Sequence, residues 1–178
     1  MTRLILCRHA DPAQPDQALV LAQVLRPLRF DAVYTSPLAR AVEAATAVAH
    51  AHGLPAVEVD DMREIDFGEV DGLAFDEFPA ELRSSLLEAP TRARFPGGET
   101  YDDLQRRARE AVERILAHHP DGTVCIITHA GTIRALLAAW LHVGDAGLFR
   151  IDQRHGAVNV VDWIDGVPLV RLVNGTRP

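Results

Sequence analysis

The apolar positions change period several times along the chain, and each change marks an element. Arg3–Cys7 is a short, almost continuous apolar run, the pattern of a buried strand. Asp16–Leu28 follows with Leu19, Val20, Ala22, Gln23, Val24 and Leu25 around an apolar stripe, which predicts a helix. Ala32–Thr35, after the turn signal Phe30-Asp31, predicts a second strand. Pro37 suits the first turn of a long helix to about His52, with Gly53 as its stop. Ala56–Val59 reads as a third strand. Asp60–Gly72 carries charges and two glycines without a helical period, and reads as a loop.

Asp76–Leu87 predicts one or two short helices, and Pro96-Gly97-Gly98 is a strong break. Thr100 or Glu99 can cap a helix to about His119, with Leu104, Ala108, Ala111, Val112 and Ile115 on one side. Asp121-Gly122 turns into a strand at Thr123–Thr128, and a helix-like stretch runs from Ile133 to His142. Ala157–Ile164 and Leu169–Val173 close the chain, joined by the hairpin signal Asp165-Gly166. Strands alternating with helices imply an α/β fold: a three-layer α/β/α sandwich with a mostly parallel sheet, the final hairpin supplying an antiparallel edge strand. No repeat or linker interrupts the pattern, so residues 1–178 read as one domain, long enough to bury a full core.

Composition agrees: 48% of residues are apolar and 24% charged, as in globular proteins. Eighteen basic against 25 acidic residues leave a net charge of −7, which argues against nucleic acid as a partner. The apolar run before Arg8 is too short for a signal peptide, and the run Ala135–Leu141 is too short to cross a bilayer. No membrane partner is expected, and a cytoplasmic location is. Cys7 and Cys125, each in an expected buried strand, read as reduced core thiols.

The chemistry gathers at two strand ends. Leu4-Ile5-Leu6-Cys7 runs into Arg8-His9, and Val124–Thr128 runs into His129, then Ala130-Gly131-Thr132. Strands of an α/β sheet present ligand-binding residues at their C-terminal ends. Arg8 offers a charged planar fork for phosphate oxygens, and His9 beside it can serve as nucleophile or general base. Arg40 lies one turn into the helix opened by Pro37, near the same sheet edge. The free N–H groups of Gly131 and Thr132 favour an anion, and Ala130 joins the phosphate-binding set. Together these make a cradle for a phosphoryl dianion. Arg154-His155-Gly156 precedes a strand instead of ending one and reads as a bystander. His50 and His52 point to different faces of a helix, and His118-His119 sits at a helix end, so no metal site or cofactor is expected.

The chain resembles the histidine phosphatase superfamily, in its phosphoglycerate-mutase-like branch. The matching pieces, in the family's order, are Leu6-Cys7-Arg8-His9-Ala10, Tyr34 to Ala41, Met62 to Gly72, Phe95 to Thr100, and Thr128 to Arg134. The resemblance implies that His9 accepts the phosphoryl group as phosphohistidine, and that Arg8, Arg40 and His129 bind that group. It implies that Glu64 is the proton donor, with Asp66 and Glu69 as nearby rivals. It implies no metal, and a small-molecule phosphate ester as substrate. The similarity is greatest to small phosphatases of the α-ribazole-phosphate and broad-specificity types.

Three departures bear on substrate. Ala10 stands where the family usually has glycine. Asp11-Pro12-Ala13-Gln14-Pro15 replaces a longer segment with Asn, Arg and Gln-Gly, which opens the pocket. No long cationic insertion lies between Gly72 and Pro96, which favours hydrolysis over mutase activity. A phosphoglycerate mutase, a catalytically weak phospholigand-binding module and a phosphohistidine-protein phosphatase are the alternatives.

Overall fold

Leu4 and Leu6 point to one face of β1 (Thr2–Arg8) and Ile5 and Cys7 to the other, and all four are buried. A strand buried on both faces requires a layer on each. Leu4 and Leu6 pack with α4 (Tyr101–Ala117) and α5 (Ala130–Trp140). Ile5 and Cys7 pack with α1 (Gln17–Leu25) and α2 (Ala39–His52). In β4 (Thr123–Thr128), Val124 and Ile126 face the first pair of helices and Cys125 and Ile127 the second. The result is the expected α/β/α sandwich. It is seen in a computed structural model that describes residues 1–14 and 16–178.

The six strands follow the order β3-β2-β4-β1-β5-β6, with β2 at Ala32–Thr35, β3 at Ala56–Glu58, β5 at Val158–Ile164 and β6 at Val167–Gly175. β1 to β4 pair in parallel, so their C-terminal ends share one edge of the sheet. β5 runs antiparallel to both β1 and β6, so the reversed strand is the penultimate one and β6 closes the sheet. The beginning of β5 therefore lies at the edge where β1 and β4 end. Its register sets Arg3 opposite Asp162 and Cys7 opposite Val158. The buried Asp162 carboxylate fixes that register, accepting from Arg3 Nε at 2.7 Å and Arg171 Nε at 3.0 Å. Asp165 and Gly166, at φ 51° and 79°, form the hairpin turn between β5 and β6.

Most expected elements are present, with shifts of local cause. In α1 the buried residues are Ala18, Leu21, Ala22 and Leu25, while Leu19 and Val20 are exposed, so the stripe lies one step from the expected one. α2 begins at Ala39 because Leu38 is still extended (ψ 132°), and Gly53 ends it in the left-handed region at φ 67°. The helix after His129 starts at Ala130 and stops at Trp140, short of His142, whose φ is 52°. Asp60–Gly72 is the expected loop, tightened by 3-10 turns at Asp60–Met62 and Gly68–Val70. A further 3-10 turn (Phe75–Glu77) and α3 (Ala80–Glu88) fill the stretch expected to hold short helices. Pro15, at the end of the shortened segment after Ala10, lies outside the described residues. Cys7 and Cys125 are free thiols in the core. Among the described residues, no helix is long and apolar enough to cross a membrane.

Candidate active site

Because β1, β2 and β4 end together, Arg8, His9, Ser36 and His129 arrive at one edge. The His9 amide donates to the Thr128 carbonyl at 2.9 Å, and the Ser36 amide to that of Ile127 at 3.0 Å. The His9 and His129 rings stand 5.1 Å apart, centroid to centroid. Both side chains are buried.

The protons on His9 follow from its partners. Nδ1 is 2.6 Å from the Ala10 carbonyl, which can only accept, so Nδ1 carries the proton. Nε2 then keeps a lone pair, which accepts from Arg40 Nε at 3.2 Å. Burial, followed by the charges of Arg40 and Arg8, lowers the His9 pKa to about 4, against the raising effect of the Ala10 contact. His9 is thus a neutral imidazole with its Nε2 lone pair turned to Arg40, and a neutral ring is the state a nucleophile needs.

His129 is built differently. Its Nε2 lies 2.7 Å from Ser36 Oγ, which also accepts from the Leu38 amide at 3.3 Å. A Ser36 hydroxyl that donates to Nε2 would put the proton of His129 on Nδ1, a buried atom with no partner among the described residues. A buried donor without an acceptor carries a desolvation cost unless a ligand meets it. Burial and then Arg40 lower the His129 pKa to about 2, so the ring is neutral.

Arg8 is half-buried, and burial lowers its pKa. Nη1 donates to the Gln153 carbonyl at 2.6 Å, Nη2 lies 2.8 Å from His155 Nε2, and Nε is buried without a partner. The His155 ring is 5.4 Å from that of His9. Arg154-His155-Gly156, read from sequence as a bystander, therefore stands at the site. The reason is topological: β5 is antiparallel to β1, so the residues before β5 meet the residues that end β1.

Glu64 lies on the loop that follows Met62. It lines a cavity of about 460 Å³ together with Arg40, Arg63, Asp66 and Arg107. Its Oε1 accepts from the Ile65 amide at 3.0 Å and its Oε2 from the Gly131 amide at 3.1 Å. The α5 N-terminus expected to hold a ligand anion thus holds the Glu64 carboxylate at Gly131. Ala130 opens α5 directly after His129. Asp66 uses Oδ1 to accept from the Gly68 amide at 2.9 Å. Glu69 packs toward Gly97. Of the three candidate carboxylates, Glu64 is the one tied to the helix that follows His129.

Arg107 holds the Glu64 loop in place. Its guanidinium donates to the carbonyls of Asp61 (2.6 Å), Arg63 (3.0 Å) and Glu64 (3.0 Å), and pairs with both oxygens of Glu99 (2.7 and 2.8 Å). Glu99, expected to cap or neutralise a helix end, serves this pair instead, and Thr100 caps α4 by accepting from the Asp103 amide at 3.0 Å. Burial opposes the Glu99 charge, yet the Arg107 hydrogen bonds and the Asp66 amide hold its pKa below the usual range. Pro96-Gly97-Gly98 completes the support, because the Glu69 amide donates to Pro96 O at 2.8 Å and the Glu99 amide to Asp66 O at 3.0 Å. A side chain at Gly68 or Gly98 would block that close approach. Arg107 has a signal of its own in the sequence: it is a charged residue three after Leu104 and four before Ala111, beside the buried stripe of α4.

The chain is similar to several known proteins. The family model described as histidine phosphatase superfamily (branch 1) matches residues 15–176, a span that begins after Arg8-His9. A bifunctional protein of Mycobacterium tuberculosis is 37% identical over 149 residues, covering 82% of this chain but only 41% of that protein. The chain thus spans about two fifths of the length of the mycobacterial relatives it matches. Phosphoserine phosphatase 1 of Hydrogenobacter thermophilus is 31% identical over 165 residues, covering 80% of this chain and 78% of the relative. Among solved structures, YhfR of Bacillus stearothermophilus superposes with a TM-score of 0.87 at 26% identity, covering 96% of this chain and 95% of its own.

Proposed function

The chain belongs to the histidine phosphatase superfamily, branch 1, and from that premise we propose that it is a metal-independent phosphomonoester hydrolase. It acts through a phosphohistidine at His9 on a small phosphorylated metabolite. The observation that carries this reading is the state of His9: Nδ1–H is tied to Ala10 O, the Nε2 lone pair sits beside Arg40 Nε, and the His129 ring lies 5.1 Å away, centroid to centroid.

In the reaction so read, His9 Nε2 attacks phosphorus and the P–O bond to the alcohol breaks. Glu64 gives its proton to the departing alkoxide. Water then attacks the phosphohistidine, Glu64 takes the proton of that water, and the P–N bond breaks to free phosphate and neutral His9. One carboxyl serves both half-reactions and is reset by the second. Arg8, Arg40, the unpartnered Nδ1–H of His129 and the backbone at Ala130 supply the positive potential along the equatorial oxygens. The cavity beside Glu64 and Arg63 would take the alcohol part. Its mixed charges suit a small polar ester, so phosphoserine and phosphoglycerate belong first on the substrate panel. The continuous sheet from β1 to β6 supports reading residues 1–178 as one catalytic domain. The free Cys7 and Cys125 thiols suit a cytoplasmic location.

Rapid quench with labelled ester tests the reading. The wild type should trap an acid-labile, alkali-stable label that His9→Ala lacks, with phosphate released equally with and without chelator. Isomerised phosphoglycerate in place of free phosphate would mark a mutase. Phosphate affinity without turnover on any ester would mark a binding module.

A further inference from the structure

The loop between Gln153 and Ala157 belongs to the phosphate site. Gln153 is buried, and its amide exchanges two hydrogen bonds with Asn159 on β5, each 2.9 Å. Asn159 is itself buried and donates to Leu6 O on β1 at 2.9 Å. The loop is also laced to the catalytic strand: the Gly156 amide donates to His9 O at 3.1 Å, and the Arg8 amide to Ala157 O at 3.0 Å. Gly156 permits this path with φ 68°. His155 is thereby held on a rigid frame with Nε2 at 2.8 Å from Arg8 Nη2, while Gln153 O takes Nη1.

Arg8 cannot accept a hydrogen bond, so His155 Nε2 must. That assigns its proton to Nδ1 and requires a neutral ring. With Nη1 and Nη2 each anchored on the loop, the guanidinium plane is fixed, and the unpartnered Nε–H is left for a ligand.

We propose that His155 is a positioning residue for phosphate: by accepting from Arg8 it aims the Arg8 guanidinium, and it can do so only while its own ring is neutral. The proposal rests on Arg8 being a phosphate ligand, as read above. It gives a role to the residues before β5 in a chain whose segment after Ala10 is shortened.

The groups facing His155 set its titration. Burial comes first and lowers its pKa from 6.5, Arg8 and Arg40 add to this, Asp11 opposes it, and the neutral His9 ring lies alongside. At neutral pH the acceptor is in place. As pH falls, a protonated His155 loses its lone pair and turns a second positive charge on Arg8.

Binding of inorganic phosphate, measured by calorimetry, tests this without relying on turnover. At pH 7.5 His155→Ala should weaken phosphate binding about tenfold, the size of effect of losing a hydrogen bond to a charged group. His155→Gln should stay within about threefold of wild type, because its amide oxygen can replace Nε2 as acceptor. Glutamine does not titrate, so wild type should lose affinity relative to His155→Gln as pH is taken below the ordinary histidine value and through the lowered His155 pKa, an effect separate from the titration of phosphate itself. Circular dichroism checks that each variant is folded. Unchanged phosphate affinity in folded His155→Ala would overturn the proposal. So would a glutamine variant as weak as alanine, with a constant ratio to wild type across pH. If phosphate binding follows the expected pattern but no ester is hydrolysed by wild type, the hydrolase reading fails and the positioning role stands.

Discussion

The Gly131 amide donates to Glu64 Oε2 at 3.1 Å, and a Cβ at residue 131 would drive into Glu64 Oε1. Gly131 lies in the first turn of α5, so the backbone here has ordinary helical geometry and needs no glycine for its own sake. The glycine is required by the carboxylate. A Gly131→Ala variant should therefore keep or slightly raise helix stability, since alanine favours a helix by about 1 kcal/mol over glycine. Its kcat/KM on an alkyl phosphate should fall at least about tenfold, because displacing Glu64 by about 1 Å misaligns a proton transfer. Melting temperature and steady-state rates together check this. A stable variant with full activity would mean that Glu64 need not be held at the helix end.

Arg107 offers a different test, because it touches the loop and not the cavity alone. Three carbonyls and the Glu99 carboxylate depend on it, and it is 12% exposed against 23% for Glu99. Removing one partner of a largely buried pair leaves the other charge uncompensated, at a cost of about 3 kcal/mol or more. Arg107→Ala should lose about that much in urea unfolding and lower activity with it. Arg107→Lys, which keeps the charge but cannot form the planar fork, should recover only part of either. Full recovery by lysine would reduce the role of Arg107 to charge.

His9 and His129 make stability depend on pH in a stated direction. Both have folded pKa values, about 4 and about 2, below the ordinary 6.5. The unfolded chain therefore binds more protons than the folded one as pH drops below 6.5, and stability falls with it. At pH 5 each histidine should account for a loss of about 1–2 kcal/mol, allowing for solvent at the mouth of the site. His155 adds in the same direction. Carboxylates with lowered pKa, such as Glu99 and Asp162, keep their contribution until pH falls further. Unfolding free energies between pH 7 and 5 should thus slope downward in wild type and less steeply in His9→Ala/His129→Ala. Parallel slopes would show that the two rings are not held neutral.

Much of this site is visible in the sequence because parallel strands deliver residues at their ends. Arg8, His9 and His129 each follow a run of buried apolar residues, and Ser36-Pro37 marks the turn that sends Arg40 to the same edge. His155 escaped the same logic. The hairpin signal at Asp165-Gly166 implied an antiparallel strand, and a strand that runs backward presents its beginning at the edge where the others end. The rule that dismissed Arg154-His155-Gly156, that it precedes a strand, is the rule that places it at the site. The role of Arg107 was legible only in part: its place beside the α4 stripe is in the sequence, but three of its partners are backbone carbonyls of a loop, and no periodicity records which carbonyls a loop will turn inward. The α1 stripe was misplaced because Leu19 and Val20 are apolar yet exposed, and the smaller Ala18 and Ala22 face the core.

The proton donor can be assigned by the leaving group. Glu64 has its two oxygens on the Ile65 and Gly131 amides, each keeping a lone pair for a proton, and it lines the cavity with Arg40. Asp66, the rival on the same wall, is occupied with the Gly68 amide and the turn it forms. A general acid matters in proportion to how poor the departing group is. Glu64→Gln keeps the shape and one acceptor but cannot cycle a proton, so hydrolysis of an alkyl phosphate should slow by about 10² or more, within the usual range for such a group. The first step on p-nitrophenyl phosphate should slow far less, because its phenolate leaves unaided. The second step still needs a base to activate water, so on that ester the variant should accumulate phosphoenzyme, visible as a burst of nitrophenolate before a slow steady rate. Asp66→Asn should show neither the burst nor the dependence on leaving group. Equal losses on both esters in Glu64→Gln, with no burst, would make Glu64 a wall of the pocket. Transfer of the leaving-group dependence to Asp66→Asn would move the proton to Asp66.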